Sequence, residues 1–556
     1  MKIADEFLPL QRLYHWEQSR AHQVYLSQPM GNGAVRDYTW AQTMGEARRM
    51  AAHLRALGHK QAWEPGTRIG ILSKNCAWWI MSDFAIWMAG YVSVPLYPTL
   101  AADTVRQILV HSDCKALFVG KLDEWLQMKS GVPGNVHCIS YPLSPQNTFE
   151  TWDDIIARTA PMADSPVRPA TELATIVYTS GTTGMPKGVM HSFYNFAASA
   201  ITMLETFGLG RDERILSYLP LSHVAERFGV ETNSIQAGFR VYFAESLDTF
   251  LQDIQRARPT IFFSVPRLWV KFQQGIFKKK PKQKLDRLFR IPLVGRLIKR
   301  KILRQLGLDS VRFAATGAAP LPESVLAWYR ELGLDLLEVY GMTENFGLSH
   351  ACRPGQMRVG YVGSPWPRAE CKFSDAHEVL VRAPWQMQGY YREPEKTREA
   401  FTDDGFLRTG DVGEVDELQR LRITGRAKEI FKTSKGKYVA PAPIENKLSA
   451  HPAIEAVCVA GANQGQPCAL AMLSPEAAAS SRETLTKSLV EHLHTVNATL
   501  DPHEQLDFIS LVKEPWNVEN GFITPTLKIK RNVIESAYGP LLDSWFARRQ
   551  AIIWQD

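Results

Sequence analysis

The sequence predicts an α/β protein, with a large N-terminal domain of layered α/β subdomains followed by a small α+β domain. Three observations carry this. Apolar strand-like runs at 68–72, 116–119, 174–178, 214–219, 260–264 and 336–339 recur between helical segments. A chain of 556 residues is too long for one ordinary core, and its 45% hydrophobic and 22% charged content is that of a globular protein with several subdomains. After Asp411 the pattern shifts to short alternating strands at 413–415 and 421–424, then to a smaller αβ unit. The expected division is 1–425 and 426–556, with a hinge at Lys428. No fixed-period repeat or low-complexity segment interrupts this order.

Taken from the N-terminus, residues 1–7 lack the apolar core of a signal peptide and carry acids where a transit peptide avoids them. Residues 78–97 are the one stretch apolar enough to question as a membrane span. Asp83 and Gly90 interrupt it, so it reads as a buried helix followed by a strand. The apolar run ending at Tyr178 enters a turn rich in Gly, Ser and Thr (Thr179, Ser180, Gly181, Thr182, Thr183, Gly184), then Lys187 and, from Phe193, a helix. Hydroxyls and backbone N–H groups in such a loop can cradle a polyphosphate, with Lys187 as a point charge. Its spacing does not fit Gly-x4-Gly-Lys-Ser/Thr, because Lys187 is followed by Gly188.

Further along, 219–227 follows a strand and sets His223, Glu226 and Arg227 at a strand-to-helix turn, where they could face a cleft; a lone His there is more often structural. Thr316-Gly317-Ala318-Ala319-Pro320 and Tyr340-Gly341-Met342-Thr343-Glu344 each end an expected strand. Small residues there permit close backbone approach to a planar base, Tyr340 offers a stacking face, and Glu344 is a hard oxygen donor suited to Mg2+ or simply a helix N-terminal carboxylate. Asp411 follows a Thr-Gly turn, where it can accept from two hydroxyls or merely form the turn. Arg426 offers a fork able to grip oxygens. The loop at 432–439 carries Lys432, Lys435, Gly436 and Lys437, which by charge alone reads as a solvated loop. Lys528 and Lys530 fall on one side if their segment is extended, so alternation does not separate them.

These strings together resemble the adenylate-forming superfamily, which includes acyl-CoA synthetases, luciferase and peptide synthetase adenylation domains. The resemblance runs from about the Trp78 region to Arg531, and the stretch 178–191 is its most specific part. It implies that 179–184 and Lys187 bind the phosphates of ATP, that Gly317, Ala318, Ala319, Tyr340, Gly341 and Thr343 form the adenine pocket, and that Glu344 holds Mg2+. It further implies that Asp411 and Arg426 hold the nucleotide, that His223 lies near the acyl carboxylate, and that Lys528 is the catalytic lysine. The departure is Leu527, where relatives usually carry Gly. Lys432 and Gly436 match a face that serves thioester formation with CoA after the mobile C-terminal domain turns about Lys428. The His-x-x-Glu-Arg and Val-Pro-Arg-x-Trp strings look most like long-chain members.

The resemblance therefore implies ATP-dependent activation of a medium- to long-chain fatty acid to acyl-AMP, then thioester formation with CoA. An acyl carrier protein or another acceptor in place of CoA, or an inert lipid- and nucleotide-binding protein, stand as alternatives; a complete set of Lys187, Glu344, Asp411, Arg426 and Lys528 argues against the last. Residues 278–304 hold twelve Lys and Arg against one acid, Asp286, more than the whole chain's formal net charge of +7. The rest is slightly acidic, which argues against nucleic acid as a partner. The segment reads as a basic amphipathic element for an anionic membrane, as surface helices covering the domain, or as a docking face for an acidic carrier protein. Seven scattered cysteines without Cys-x-x-Cys spacing read as reduced thiols. The expected location is cytoplasmic, with peripheral contact at the inner membrane face.

Overall fold

The computed structural model describes residues 1–179, 185–319, 321–524 and 528–555. Two large sheets form the body. One has nine strands in the spatial order Ser364–Pro365, His350–Ala351, Leu336–Tyr340, Phe313–Gly317, Ile261–Ser264, Arg214–Ser217, Arg240–Phe243, Val24–Gly31 and Ala34–Thr39; its inner six run parallel. The other has eight strands, ordered Gly389–Tyr390, Lys187–Ser192, Leu173–Thr179, Val92–Leu96, Arg68–Leu72, Cys114–Val119, His137–Ser140 and Glu150–Thr151. Facing residues of both sheets, among them Ile215, Ile261 and Phe313 from the first and Ile69, Ile71 and Phe118 from the second, share one core.

Within that core lies the helix Ala77–Ala89, buried at every residue and ended by Gly90 in the left-handed region. Its uniform apolarity is what a helix covered on all sides requires, and the strand Val92–Leu96 follows as the sequence implies. No helix among the described residues is long and apolar enough to cross a membrane.

A smaller antiparallel sheet, Glu370–Phe373, Glu378–Arg382, Leu407–Val415 and Leu421–Arg426, leads to the C-terminal domain. That domain has a two-stranded hairpin, Phe431–Lys432 with Tyr438–Val439, and a mixed four-stranded sheet packed by the helices Pro441–Leu448, Arg482–Asn497 and Arg531–Arg548 around cores of its own.

Three local expectations are corrected. Lys187 is not a link from strand to helix, because Lys187–Ser192 is itself a strand paired antiparallel with Leu173–Thr179; the alternation of Val189 and His191 inward makes it one. The helix Phe193–Phe207 starts only after it, under a capping box of Ser192 and Asn195. Asp411 lies within the strand Leu407–Val415 rather than on a turn, with Gly410 at φ +72° and a register shift just beyond. Glu226 and Arg227 face the interior instead of a cleft. The seven cysteines are free thiols.

Candidate active site

The phosphate-loop residues Ser180, Gly181, Thr182, Thr183 and Gly184 lie outside the described residues, as does Pro320. The residues flanking that loop are ordered by the hairpin, which sets Thr179 directly opposite Lys187. The Lys187 ammonium stands 4.9 Å above the Tyr390 ring. Tyr390 is held there by its pairing with Val189 across the sheet, and its hydroxyl donates to Glu344 Oε1 at 2.8 Å. A second tie joins the same parts: His191, wholly buried, donates from Nε2 to the Thr343 carbonyl at 2.8 Å. Burial holds its pKa down to about 3, so it stays neutral and that tautomer persists.

Beside this corner the strands Phe313–Gly317 and Leu336–Tyr340 run parallel, with Gly317 opposite Val339. A Cβ on Gly317 would stand 2.9 Å from the Val339 carbonyl oxygen, and one on Gly341 would stand 2.1 Å from that of Gly347. The protein's own backbone therefore already requires glycine at both. Ala318, in the left-handed region at φ +70°, and Ala319 are exposed where the strand ends. Tyr340 donates its hydroxyl to Asp411 Oδ2, while the Arg426 guanidinium donates from Nε to Asp411 Oδ1 at 2.9 Å. Asp411 is 5% exposed and both its oxygens are oriented. Burial, then the adjacent Asp411 carboxylate, raises the Tyr340 pKa well above its ordinary value, so its proton stays.

Lys528 comes to this group from the C-terminal domain. Solvent reaches it, yet it stands deep among protein groups. Desolvation and then the Arg426 charge pull its pKa down, against Asp411, Glu344 and Glu429, which pull it up. The same ammonium acts with burial to hold the His223 pKa down to about 4; burial is the larger cause. His223 caps the helix Val224–Glu226, its Nδ1 accepting from the Ala225 N–H at 3.2 Å. The neutral ring therefore carries its proton on Nε2 and can donate it. Behind it, Glu226 Oε1 accepts from Ser217, the Tyr218 N–H and Asn75, and burial raises its pKa to about 8. Arg227 pairs with Asp83 and, at 3.7 Å, with Glu231, all three without exposure.

The predicted residues thus divide. Lys187, Thr343, Glu344, Tyr340, Asp411, Arg426, Lys528 and His223 fall into one connected neighbourhood. Lys432 and Gly436 do not join it: they lie on the exposed hairpin of the C-terminal domain, with the Lys432 ammonium 5.4 Å over Tyr438 and Gly436 at φ +77° in the connecting turn. Lys428 stands exposed in the turn after Arg426, which is pinned by Ala427 N–H donating to the Gly410 carbonyl. Lys530 precedes the helix Arg531–Arg548.

Sequence reasoning missed Tyr390 and His191, which are ordinary strand residues by pattern and acquire their roles only through pairing. It also missed Arg267 as a domain contact. That side chain forms an ion pair with Glu455 on the C-terminal strand Ile454–Ala460, joining the body to the C-terminal domain as the Asp411–Arg426 pair also does.

As a donor set, the cluster offers three cations (Lys187, Arg426 and Lys528), one anchored carboxylate with a free oxygen and one clamped carboxylate, which together can bind a nucleoside triphosphate and stabilise charge at a phosphorus. The sequence matches the AMP-binding enzyme family over residues 15–391 and the AMP-binding enzyme C-terminal domain over 428–550. It is 30% identical to a long-chain-fatty-acid–CoA ligase, FadD15, of Mycobacterium bovis, across 91% of this chain and 92% of that one. It is also 30% identical to the peroxisomal long chain acyl-CoA synthetase 7 of Arabidopsis thaliana, across 96% and 85%. Among solved structures, the anthranilate CoA ligase AuaEII in complex with anthranoyl-AMP superposes with a TM-score of 0.80 at 23% identity, over 98% of this chain and 100% of that one. The A domain of a carboxylic acid reductase from Segniliparus rugosus gives 0.79 at 22%, over 98% and 94%.

Proposed function

Because the chain belongs to the AMP-binding enzyme family, and is an AMP-forming acid–thiol ligase, we propose that its acid is a medium- to long-chain fatty acid and its thiol that of CoA. The names of its 30%-identical relatives support the acid and the acceptor. The convergence of Lys528 with Glu344, Asp411, Arg426 and His223 is the observation that carries the chemistry.

In the first step a carboxylate oxygen attacks the α-phosphorus of ATP, the bond from that phosphorus to the bridging oxygen breaks, and pyrophosphate leaves. Negative charge gathers between two anions, and Lys528 and Lys187 are the cations for it. His223, neutral with its proton on Nε2, donates to the acyl carboxylate and orients it without neutralising it. Asp411 uses one lone pair of each oxygen on Tyr340 and Arg426, and a carboxylate retains further acceptor sites for ribose hydroxyls. Glu344 fits Mg2+, since Tyr390 takes only Oε1 and leaves a hard oxygen donor; bound there, the ion would supply charge neutralisation on the phosphates.

In the second step the CoA thiol loses its proton to solvent, its sulfur attacks the acyl carbon, the bond from that carbon to the phosphate oxygen breaks and AMP leaves. For this we assign Lys432 and Gly436, on the opposite hairpin, with Lys428 as the hinge and the domains divided into 1–425 and 426–556. Pyrophosphate release with Mg-ATP and fatty acids of graded length, each with and without CoA, tests this reading. Acid-dependent release that turns over only with CoA is expected. Release indifferent to CoA would turn the proposal towards a carrier protein, and no release with any fatty acid would refute the substrate class.

A further inference from the structure

The basic segment is not a free amphipathic ribbon. It folds as the helices Lys282–Phe289 and Val294–Gln305, following Pro266–Lys279, and the apolar residues the sequence would offer to lipid are already used. Leu285, Phe289 and Ile302 are buried in a core with Trp269 and Trp328. What remains outside is the tip between the two helices. Leu293 is 74% exposed, Leu297 68%, Ile291 46% and Val294 42%. These are four of the sixteen large hydrophobic residues exposed among the described residues, gathered within seven positions, so they form a patch rather than scatter.

The backbone holds that patch outward at a cost. Val294 N–H donates to the Pro292 carbonyl at 2.7 Å, closing a three-residue γ-turn with Leu293 at φ +64°, ψ −52°. That geometry is strained for a residue with a side chain. Gly295 lets the second helix begin against the first: a Cβ there would stand 2.4 Å from the Phe289 carbonyl oxygen. The tip is therefore built into the fold.

Cations surround it. Of the twelve Lys and Arg in 278–304, only Lys282 with Asp286 and Lys299 with Glu331 form ion pairs among the described residues. Arg290, Arg296, Arg300 and Lys301 are exposed beside the tip. Next to it a surface cavity of about 330 Å3 is lined by Arg296, Lys299, Arg300 and Leu303 together with Asp309 and Glu331. An apolar point within a field of unpaired cations matches an anionic bilayer, whose interior takes the leucines and whose headgroups take the charges. An acidic protein surface would satisfy the cations but leave Leu293 and Leu297 without a use.

We propose that residues 291–297 insert into an anionic phospholipid surface, with Arg290, Arg296 and Arg300 holding headgroup phosphates, and so dock the enzyme on a membrane. The test is sedimentation of the full chain with phosphatidylcholine vesicles, with and without phosphatidylglycerol. Binding is read without turnover, so the result stands whether or not the proposed acid is correct. Wild type should bind the anionic vesicles and lose that binding as salt rises. Leu293→Ser with Leu297→Ser, and separately Arg296→Glu with Arg300→Glu, should each weaken it by roughly tenfold or more. Both pairs are exposed, and an unchanged melting temperature verifies that they fold. Full binding by either variant, equal binding to neutral vesicles, or no wild-type binding would overturn the proposal. Capture of an acidic acyl carrier protein by this face without vesicle binding would overturn it in favour of a protein partner.

Discussion

Tyr390→Phe isolates one hydrogen bond of the site. The hydroxyl donates to Glu344 Oε1 at 2.8 Å, while the ring lies under the Lys187 ammonium at 4.9 Å. Phenylalanine keeps the ring, the strand pairing with Val189 and the burial, and removes only the donor. A hydrogen bond to a charged group contributes about 1.5–3 kcal/mol, which corresponds to roughly a tenfold to hundredfold change in an equilibrium. Groups that orient a metal's carboxylate ligand alter affinity over a similar range, about 10–100-fold. If Glu344 is aimed by Tyr390, the variant should need correspondingly more Mg2+ for half-maximal pyrophosphate release. Thioester formation from added acyl-AMP should be spared. Mn2+ binding in the presence of ATP, followed by its paramagnetic resonance, reports the same loss without turnover. An unchanged metal dependence in both measurements would refute the orienting role of Tyr390, even if turnover fell.

Lys528→Ala should lose adenylation while retaining ATP binding, and Lys432→Ala should impair thioester formation more than adenylation; equal losses in both half-reactions for either variant would contradict two separate faces. Glu226→Gln keeps an acceptor for Ser217, Tyr218 and Asn75 but cannot ionise. Since the folded pKa is raised to about 8 from 4.5, its contribution to stability is complete below 4.5 and is lost as pH rises through 8. The variant should therefore melt less steeply than wild type across that range, and parallel melting curves would remove Glu226 as the cause. His191 and His350, both held down to about 3 by burial, act with the opposite sign, so stability should also fall as pH drops from 6.5 towards 3. Arg267→Ala removes the ion pair with Glu455 and should slow adenylation relative to thioester formation, by a few-fold at most because Arg267 is largely exposed.

The fold was legible in the sequence where apolar runs are bounded by small residues. The parallel strands ending at Gly317 and Tyr340, and the buried helix Ala77–Ala89, follow directly from such runs. What was not legible depends on pairing between distant segments. Tyr390 is 46 positions from Glu344, and only the register of Gly389–Tyr390 against Lys187–Ser192 brings it there. Lys187–Ser192 reads as a helix approach until its pairing with Leu173–Thr179 is known. Arg267, within a string that resembles an acyl element, meets Glu455 across a domain boundary, 188 positions away. The leucines of 278–304 look equivalent by period, yet the fold sends Leu285 inward and Leu293 outward.

The proposed function gives the C-terminal domain two reactions to serve at one site. Lys528 and the hairpin bearing Lys432 and Gly436 belong to the same domain, and in this structure Lys528 faces the nucleotide residues while the hairpin faces solvent. Under the roles proposed for Lys528 and for Lys432 with Gly436, a rigid domain cannot present both surfaces to Asp411 and Glu344, so it would turn between the two steps. One contact it must break is suited to that. Arg267 and Glu455 are 45% and 17% exposed, and an ion pair so open to water contributes only about 0–1 kcal/mol. By contrast Arg531, largely buried, holds Glu445 at 2.6 Å and Glu429 at 3.5 Å, tying the segment just after Lys428 to the C-terminal core. Strong bonds thus lie on the domain side of the turn, while the Arg267–Glu455 bridge to the body is weak. Rotation should occur about 427–428, with Glu429 moving as part of the domain.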